Sequence, residues 1–479
     1  MTDSMDDIVY ERPLAAHETA IPGLVVFDLP VHGDNRGWFK ENWQRAKQVP
    51  LGLPDFGPVQ NNVSFNEKRG VTRGIHAEPW DKYISVATGV IFGAWVDLRE
   101  GPSFGAVHTQ TIRPDQAIFV PRGVGNAFQT LTDHTAYTYL VNDHWSADKL
   151  DQYSFVNLAD PILAIPWPIP LEQAELSDKD RHHPFLAGAR PVTPRQTVIL
   201  GGNGQLGRAL HAVYGDQAVV LGRDVVDLTS PTIATDYDWS NVGVIINAAA
   251  HTDVDGAEAP TGRRNAWQTN VTAIRQLATL ARGHGATLVN ISSDYVFDGT
   301  RPIHDETEPP TPLGVYGQTK AAGDQITATL PAHYTIRTSW VIGDGHNFVT
   351  TMASLARRGI RPTVVADQIG RLTFTDTLAR GIRHLIDTHA PYGTYNLTNT
   401  GPEHSWADIA KTVYAALGAS PDDVTPTTTA DYYHGKTGIA PRPHHSTLDL
   451  TKIQNTGFEP ENADQALERY LVKLARESA

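Results

Sequence analysis

The chain has 479 residues, 40% hydrophobic and 19% charged, with a formal net charge of −14 and no cysteine. That length exceeds what one hydrophobic core organises, so two or more domains are expected. The missing cysteines exclude disulfides, thiolate metal sites and cysteine nucleophiles; the acidic balance opposes nucleic-acid binding; no apolar run is long enough to span a bilayer. The acidic opening MTDSMDDIVYERP is unlike a secretory leader, and a cytoplasmic location is expected.

From Ile21 to about Pro168 short β-rich runs (GLVVFDLP, YISVATGVIFGAWVDL, AVHTQTIR, QAIFVPRG, AYTYLVND) alternate with glycine, proline and aspartate. This spacing, without sustained helical periodicity, predicts an antiparallel sandwich or barrel. Two segments carry chemistry: DNRGWFKENW with Arg36 and Glu41, and Val59–Lys82 with Gln60, Asn62, Arg73, His76 and Lys82. Arginine inside a barrel is costly unless it meets an anion such as a diphosphate; the alternative is a rim residue paired with a local carboxylate. A metal-binding cupin would need a histidine cluster. Here the corresponding places read His76-Ala77-Glu78 and Pro121 to Asn126, leaving one imidazole, so no metal is expected and His76 is free to act as a base.

The ordered set DNRGWFKE, VQNN-S, TRGIH, VDLREGPSFG, VPRGVGNAF, AYTYL and DPILAIPWP resembles the dTDP-4-dehydrorhamnose 3,5-epimerase family along residues 20 to 188. The resemblance implies a cupin-like barrel with His76 as base, Asp160 as the carboxylate that orients it, Tyr139 as acid on the opposite face of the sugar, and Lys82 near the enolate oxygen. It places Arg36, Glu41, Gln60, Asn62 and Arg73 around the nucleotide. Asn126 stands where the family usually has histidine, which raises the alternative that one centre is inverted rather than two. Residues 190 to 196, with two prolines and two arginines, read as a linker between a domain at 1–189 and one at 197–479. His182-His183, just before it, reads as a solvated surface pair.

The second half opens with TVILGGNGQLGRAL: a strand, then Gly201, Gly204 and Gly207 at three-residue spacing, then a helix. This is the dinucleotide fingerprint, with Asn203, Gln205 and Leu206 in the same turn and pyrophosphate expected at the helix N-terminus. Arg223, where a carboxylate would bind the ribose of NAD, favours NADPH over NADH; Asp227 and Leu228 are candidate adenine contacts, and Ala248, Ala249 and Ala250 allow close approach of the cofactor. Strands alternating with helices predict a doubly wound parallel sheet. Ser293 follows an apolar strand, and Tyr316 stands four residues before Lys320, one helical turn away. A ketone accepting hydride needs a proton for the developing alkoxide, and a phenol beside an ammonium can give it.

The runs GGNGQLG, INAAAHTDVDGAE, SSDYVFDG, VYGQTKAAGD, IRTSWVIGDGHNF and ADQIGR resemble the extended short-chain dehydrogenase/reductase family, within it dTDP-4-dehydrorhamnose reductase. This implies Ser293, Tyr316 and Lys320 as the catalytic set and Trp340, Asn347, Gln368 and Arg442 as substrate contacts. Some relatives hold magnesium through a glutamate in the first helix; Ala209 stands there, so none is expected. Asp255 and Glu258 read as structural. Helices after Thr375, the last at 462–477, form a small cap over the substrate cleft. Together the halves predict a bifunctional enzyme acting on a dTDP-linked 4-keto-6-deoxyhexose, dimeric through its barrel. The rival is a reductase whose barrel is only a nucleotide-sugar binding module.

Overall fold

The computed structural model describes residues 8–145, 150 and 152–476. The chain divides into two compact units, Met1–Pro194 and Arg195–Ala479. Most of the expected linker is structured within one unit or the other. Val192 donates to the Leu98 carbonyl at 2.7 Å, and its own carbonyl accepts from Glu100 at 3.0 Å. Gln196 already opens the first strand of the second unit.

The first unit is two facing antiparallel sheets. One has six strands in the order Ala15–Glu18, Val25–Asp28, Gln116–Val120, Lys82–Thr88, Thr135–Val141, Gln60–Asn66; the other has five, in the order Ser154–Phe155, Thr72–Ala77, Val124–Thr130, Ile91–Asp97, Val107–Ile112. Period-two alternation sends Ile84, Val86, Trp95, Ile118 and Phe128 into the space between them, where they form a closed core at one end. The other end stays open and polar. Strand Thr72–Ala77 breaks its alternation there: His76 pairs with Asn126 and Arg73 with Phe128, so Gly74 and Ile75 on one strand oppose Ala127 alone on the other. This bulge turns Arg73 and His76, three apart, toward one cavity. Gly74 makes it possible, at φ +119° and so close to Ala127 that a Cβ would sit 2.5 Å from that side chain.

The second unit holds a six-stranded parallel sheet ordered Ala218–Leu221, Gln196–Leu200, Val242–Asn247, Thr287–Ser293, His333–Thr338, Gly393–Asn396. Numbered along the chain this is 2-1-3-4-5-6, with helices on both faces, as expected for a doubly wound sheet. The order reverses between Gln196–Leu200 and Val242–Asn247, and doubly wound sheets take their ligands in the crevice beyond the carboxyl ends of the strands at such a point. A separate apolar cluster (Val349, Met352, Leu372, Phe374, Val413, Tyr414, Leu467, Leu471) binds helices Phe348–Arg357, Trp406–Ala416 and Ala463–Arg476 into the small subdomain anticipated after the sheet. Residue 477, the expected end of the last helix, lies outside the described residues. Among the described residues no helix is long and apolar enough to cross a membrane.

Candidate active sites

The open end of the barrel is a cavity of about 990 Å³ lined by Arg73, His76, Lys82, Asn126, Tyr139 and Asp180, with Glu78, Tyr137, Tyr153, Phe155 and His183 among its other walls. His76 Nε2 lies 2.8 Å from Asp180 Oδ1. Burial works to raise the Asp180 carboxyl, but His76 and Ser177 outweigh it and hold the group below the ordinary carboxylate range, so the carboxylate is ionised and accepts. Tyr139 belongs to the opposite sheet, facing the His76 wall. Burial and then the Glu78 charge raise its phenol, with Arg73 opposing, so it stays protonated and able to donate. Lys82, only 7% exposed, is ion-paired with Glu78 and lies 5.6 Å from the Tyr139 ring centre. Asn126 donates to the Tyr137 hydroxyl at 3.0 Å.

The carboxylate partner of His76 is therefore Asp180, correcting the expectation of Asp160. Asp160 is buried as a turn cap: Oδ1 accepts from the Ile162 and Leu163 amides at 2.7 and 3.3 Å, and Oδ2 from the Leu186 amide at 2.5 Å. Asp180 sits in a short helix, Asp178–Arg181, whose N-cap Ser177 accepts from the Asp180 amide. The Ser177-x-x-Asp180 spacing was a visible capping signal; what it could not show was a contact 104 residues away. His183 is no solvated surface residue either, since its ring stacks on Phe155 inside the cavity. His182, by contrast, is exposed.

Not every expected nucleotide contact reaches the cavity. Arg36 is 84% exposed on the hairpin Val31–Asp34/Gly37–Lys40 and pairs with Asp34 at 2.5 Å, while Glu41 pairs with Lys47. Arg36 follows the rim alternative. Gln60 and Asn62 lie on the edge strand beside Tyr139, hydrogen-bonded to each other at 2.8 Å, on the same face as cavity-lining Ser64.

In the second unit, Gly201 (φ +80°) turns the chain so closely past Ala249 that a Cβ would meet the Ala249 amide at 2.7 Å. Gly204 then caps helix Gln205–Tyr214, leaving its N-terminus open toward the crevice. The alanines 248–250 follow strand Val242–Asn247 at the reversal point, so a dinucleotide's pyrophosphate fits this loop. The Gln205 side chain accepts from the Gly343 amide and donates to the His346 carbonyl, while the Leu206 and Leu228 side chains are buried in the two cores flanking the sheet. Arg223 is 81% exposed with its Nε 3.3 Å from Asp227.

Ser293 ends strand Thr287–Ser293, and Tyr316 and Lys320 lie in helix Val315–Thr327, which crosses that strand. Glu258 accepts from the Val315 amide at 2.8 Å, capping the helix. Burial raises the Tyr316 phenol, and the Ser293 hydroxyl pulls against it. Lys320 is driven down to about 8 by burial, and its Nζ donates to the Ile291 carbonyl at 2.5 Å. Ser293 in turn donates to Asp294 Oδ1 at 2.9 Å, and burial pushes that carboxyl up to about 6. Sequence reading missed Asn270, buried in a π-helical turn, which bonds the His251 backbone at both N–H and C=O and the Thr319 hydroxyl beside Lys320.

Of the expected substrate contacts here, Asn347 is a helix cap: it accepts from the Thr350 amide and donates to the Gly343 carbonyl at 2.8 Å. Gln368 donates to Thr429 at 3.1 Å. Trp340 stacks on Trp406 at 3.8 Å, and Arg442 is held by Asp255 at 2.7 Å.

Comparison with known proteins follows the same division. Residues 18–188 match the family model for dTDP-4-dehydrorhamnose 3,5-epimerase, and residues 195–476 match the RmlD substrate binding domain. A protein of Streptococcus pyogenes serotype M6 named as an RmlC homolog is 52% identical over 197 residues, 40% of this chain and 99% of its own length. The dTDP-4-dehydrorhamnose reductase of Aggregatibacter actinomycetemcomitans is 36% identical over 289 residues, 56% of this chain and 96% of its own. A crystal structure of dTDP-4-dehydrorhamnose reductase from Bacillus anthracis in complex with NADP aligns with TM-score 0.54 and 33% identity, covering 58% of this chain and 99% of that one. The chain belongs to the dTDP-4-dehydrorhamnose 3,5-epimerase family through its first unit and to the RmlD reductase family through its second.

Proposed function

We propose that the chain carries out two consecutive steps toward dTDP-L-rhamnose: inversion of C3 and C5 in dTDP-4-dehydro-6-deoxy-D-glucose, then reduction of the C4 ketone. The observation that carries this is the His76–Asp180 pair on one wall of the barrel cavity with Tyr139 on the facing wall, on the same chain as Ser293, Tyr316 and Lys320.

The C4 ketone acidifies the protons on C3 and C5. With its Nε2–H given to Asp180, His76 has a lone pair on Nδ1 and removes such a proton; Asp180 steadies the imidazolium that results. The electron pair moves onto the C4 oxygen, where the Lys82 ammonium offsets the enolate charge. Tyr139 returns a proton from the other face, which inverts the centre.

In the second unit the glycine loop and alanines 248–250 would hold NADPH, which supplies hydride for C4. Tyr316 keeps its proton until negative charge appears on the C4 oxygen and then gives it up; the Ser293 hydroxyl fixes the phenol and Lys320 supplies positive charge nearby. Reduction consumes the ketone on which epimerisation depends and so makes the inversion irreversible.

The reading extends to a cytoplasmic homodimer through the barrel. Val59, Val63 and Phe65 are 53–67% exposed along the outer strand Gln60–Asn66 and its approach, an apolar sheet edge that a second copy would cover.

The test is to supply the ketosugar and NADPH to the purified chain without a second enzyme. Nicotinamide absorbance should fall, and proton NMR should show an L-rhamnosyl product. His76→Ala should lose turnover of that ketosugar by about 10²–10⁴-fold while still reducing an already epimerised one. Undiminished turnover by His76→Ala removes the first unit's chemistry and leaves a binding module.

A further inference from the structure

His183 has no part in the mechanism above, yet it is built into the site. Its side chain is 14% exposed, and its Nε2 lies 3.3 Å from the same Asp180 oxygen that His76 reaches at 2.8 Å. The ring is clamped by stacking on Phe155 at 4.7 Å and meets the His76 ring at 5.5 Å, nearly perpendicular. An ionised carboxylate only accepts, so both imidazoles turn an Nε2–H toward one oxygen.

A cation can take the place of those two protons. The three donor atoms lie within 4.8 Å of one another, and a tetrahedral ion with bonds of about 2.0–2.2 Å wants its donors roughly 3.3 Å apart, so modest ring rotations close the site. Two imidazole nitrogens and one carboxylate oxygen suit Zn²⁺, Co²⁺ or Ni²⁺ better than Mg²⁺ or Cu⁺, and the open cavity leaves positions for water. Among the described residues no second such group of three gathers in either unit.

We propose that His76, Asp180 and His183 form a site for a divalent transition-metal ion of the zinc class, whose occupancy turns epimerisation off and leaves the reductase running. The inhibitory part rests on His76 being the epimerisation base. Coordination through Nε2 displaces the proton that this nitrogen gives to Asp180, and the ring then carries its proton on Nδ1, exchanged through solvent. The lone pair that would attack the sugar is lost, and the Asp180 charge is spent on the ion. Ser293, Tyr316 and Lys320 offer no comparable donor set.

The test uses the full chain. Co²⁺ should bind one per chain and give the visible absorption of a tetrahedral site, and Zn²⁺ should bleach it. Zn²⁺ should slow deuterium uptake at C3 and C5 about tenfold or more, reversibly on adding EDTA, without changing the rate at which an epimerised ketosugar is reduced. His183→Gln, which keeps a donor toward Asp180, should weaken metal binding about 10–100-fold, and its deuterium uptake, whatever the starting rate, should need correspondingly more Zn²⁺ to be slowed. No Co²⁺ band, or undiminished zinc inhibition in His183→Gln, overturns the proposal. If uptake is absent without any metal, the epimerase reading fails, while the Co²⁺ band still decides the metal site.

Discussion

The two units handle the same carbonyl with opposite architectures. In the barrel, the proposed base His76 is 33% exposed in an open cavity and is paired with a carboxylate 104 residues away. In the parallel-sheet unit, the phenol and amine share one helix, the serine ends the strand it crosses, and Ser293 and Lys320 are at most 7% exposed. Proton exchange tolerates water, and its base must be recharged between turnovers. Hydride transfer favours a dry site with its proton donor fixed beforehand.

The largest expected effect tests whether the two sites are separable. Tyr316→Phe removes the only hydroxyl of that side chain while leaving its packing, so C4 reduction should fall about 10²–10⁴-fold. Deuterium uptake at C3 and C5, measured without nicotinamide, should be unchanged. Loss of both activities together would mean that the units do not act independently.

Next comes the identity of the barrel's carboxylate. Asp180→Asn keeps the shape but not the charge that stabilises the His76 imidazolium, so deuterium uptake should drop about 10²-fold or more. Asp160→Asn should instead cost about 1–3 kcal/mol of stability, seen in the urea midpoint of the first unit, because three backbone amides lose a carboxylate acceptor. The reverse pattern would reinstate Asp160 as the partner.

In the sheet unit, the pair of Asp324 and Arg337, 3.1 Å apart and one helical turn beyond Lys320, is buried more deeply than the Lys82–Glu78 pair of the barrel cavity. Asp324→Ala leaves the guanidinium buried and unmatched, an expected loss of about 3–5 kcal/mol in denaturant unfolding. Asp294 gives a smaller, pH-dependent effect. Its carboxyl is raised from 3.8 to about 6 by burial, so the folded chain binds more protons than the unfolded chain between those values, and stability falls as pH rises through that window. Asp294→Asn cannot ionise. Its stability relative to the parent chain should therefore climb from pH 4 to about pH 6 and then hold, as read from urea midpoints across that range. A flat difference would mean that Asp294 does not titrate there.

The same contrast explains what the sequence disclosed. Tyr316, Lys320, Ser293 and the glycine turn after Leu200 were legible because the chemistry lies within one turn of helix or at one strand end, where spacing is geometry. The alternating runs of the barrel disclosed its sheets for the same reason. The role of Asp180 fell to Asp160 because both follow the last long strand of the barrel, where no periodicity says which segment folds back under Thr72–Ala77. The bulge at Gly74 was equally hidden, since it depends on Ala127 in a neighbouring strand. Asn347 shows a further limit, since a polar side chain in a shared motif reads alike whether it caps a helix or meets a substrate.

The smallest effect concerns the cofactor, where exposure limits what one side chain can do. Arg223 stands just beyond strand Ala218–Leu221, 81% exposed and loosely tied to Asp227. A guanidinium in water gains little from one phosphate, about 1 kcal/mol at most, so Arg223→Ser should raise KM for NADPH no more than about fivefold. The KM for NADH and both kcat values should stay unchanged, because the residue lies away from the Tyr316 end of the cleft. If Arg223 is the 2′-phosphate contact, the NADPH effect must also shrink with added salt, since an exposed charge pair is screened. A KM for NADPH that moves with neither substitution nor salt assigns the preference to the backbone of the glycine turn instead.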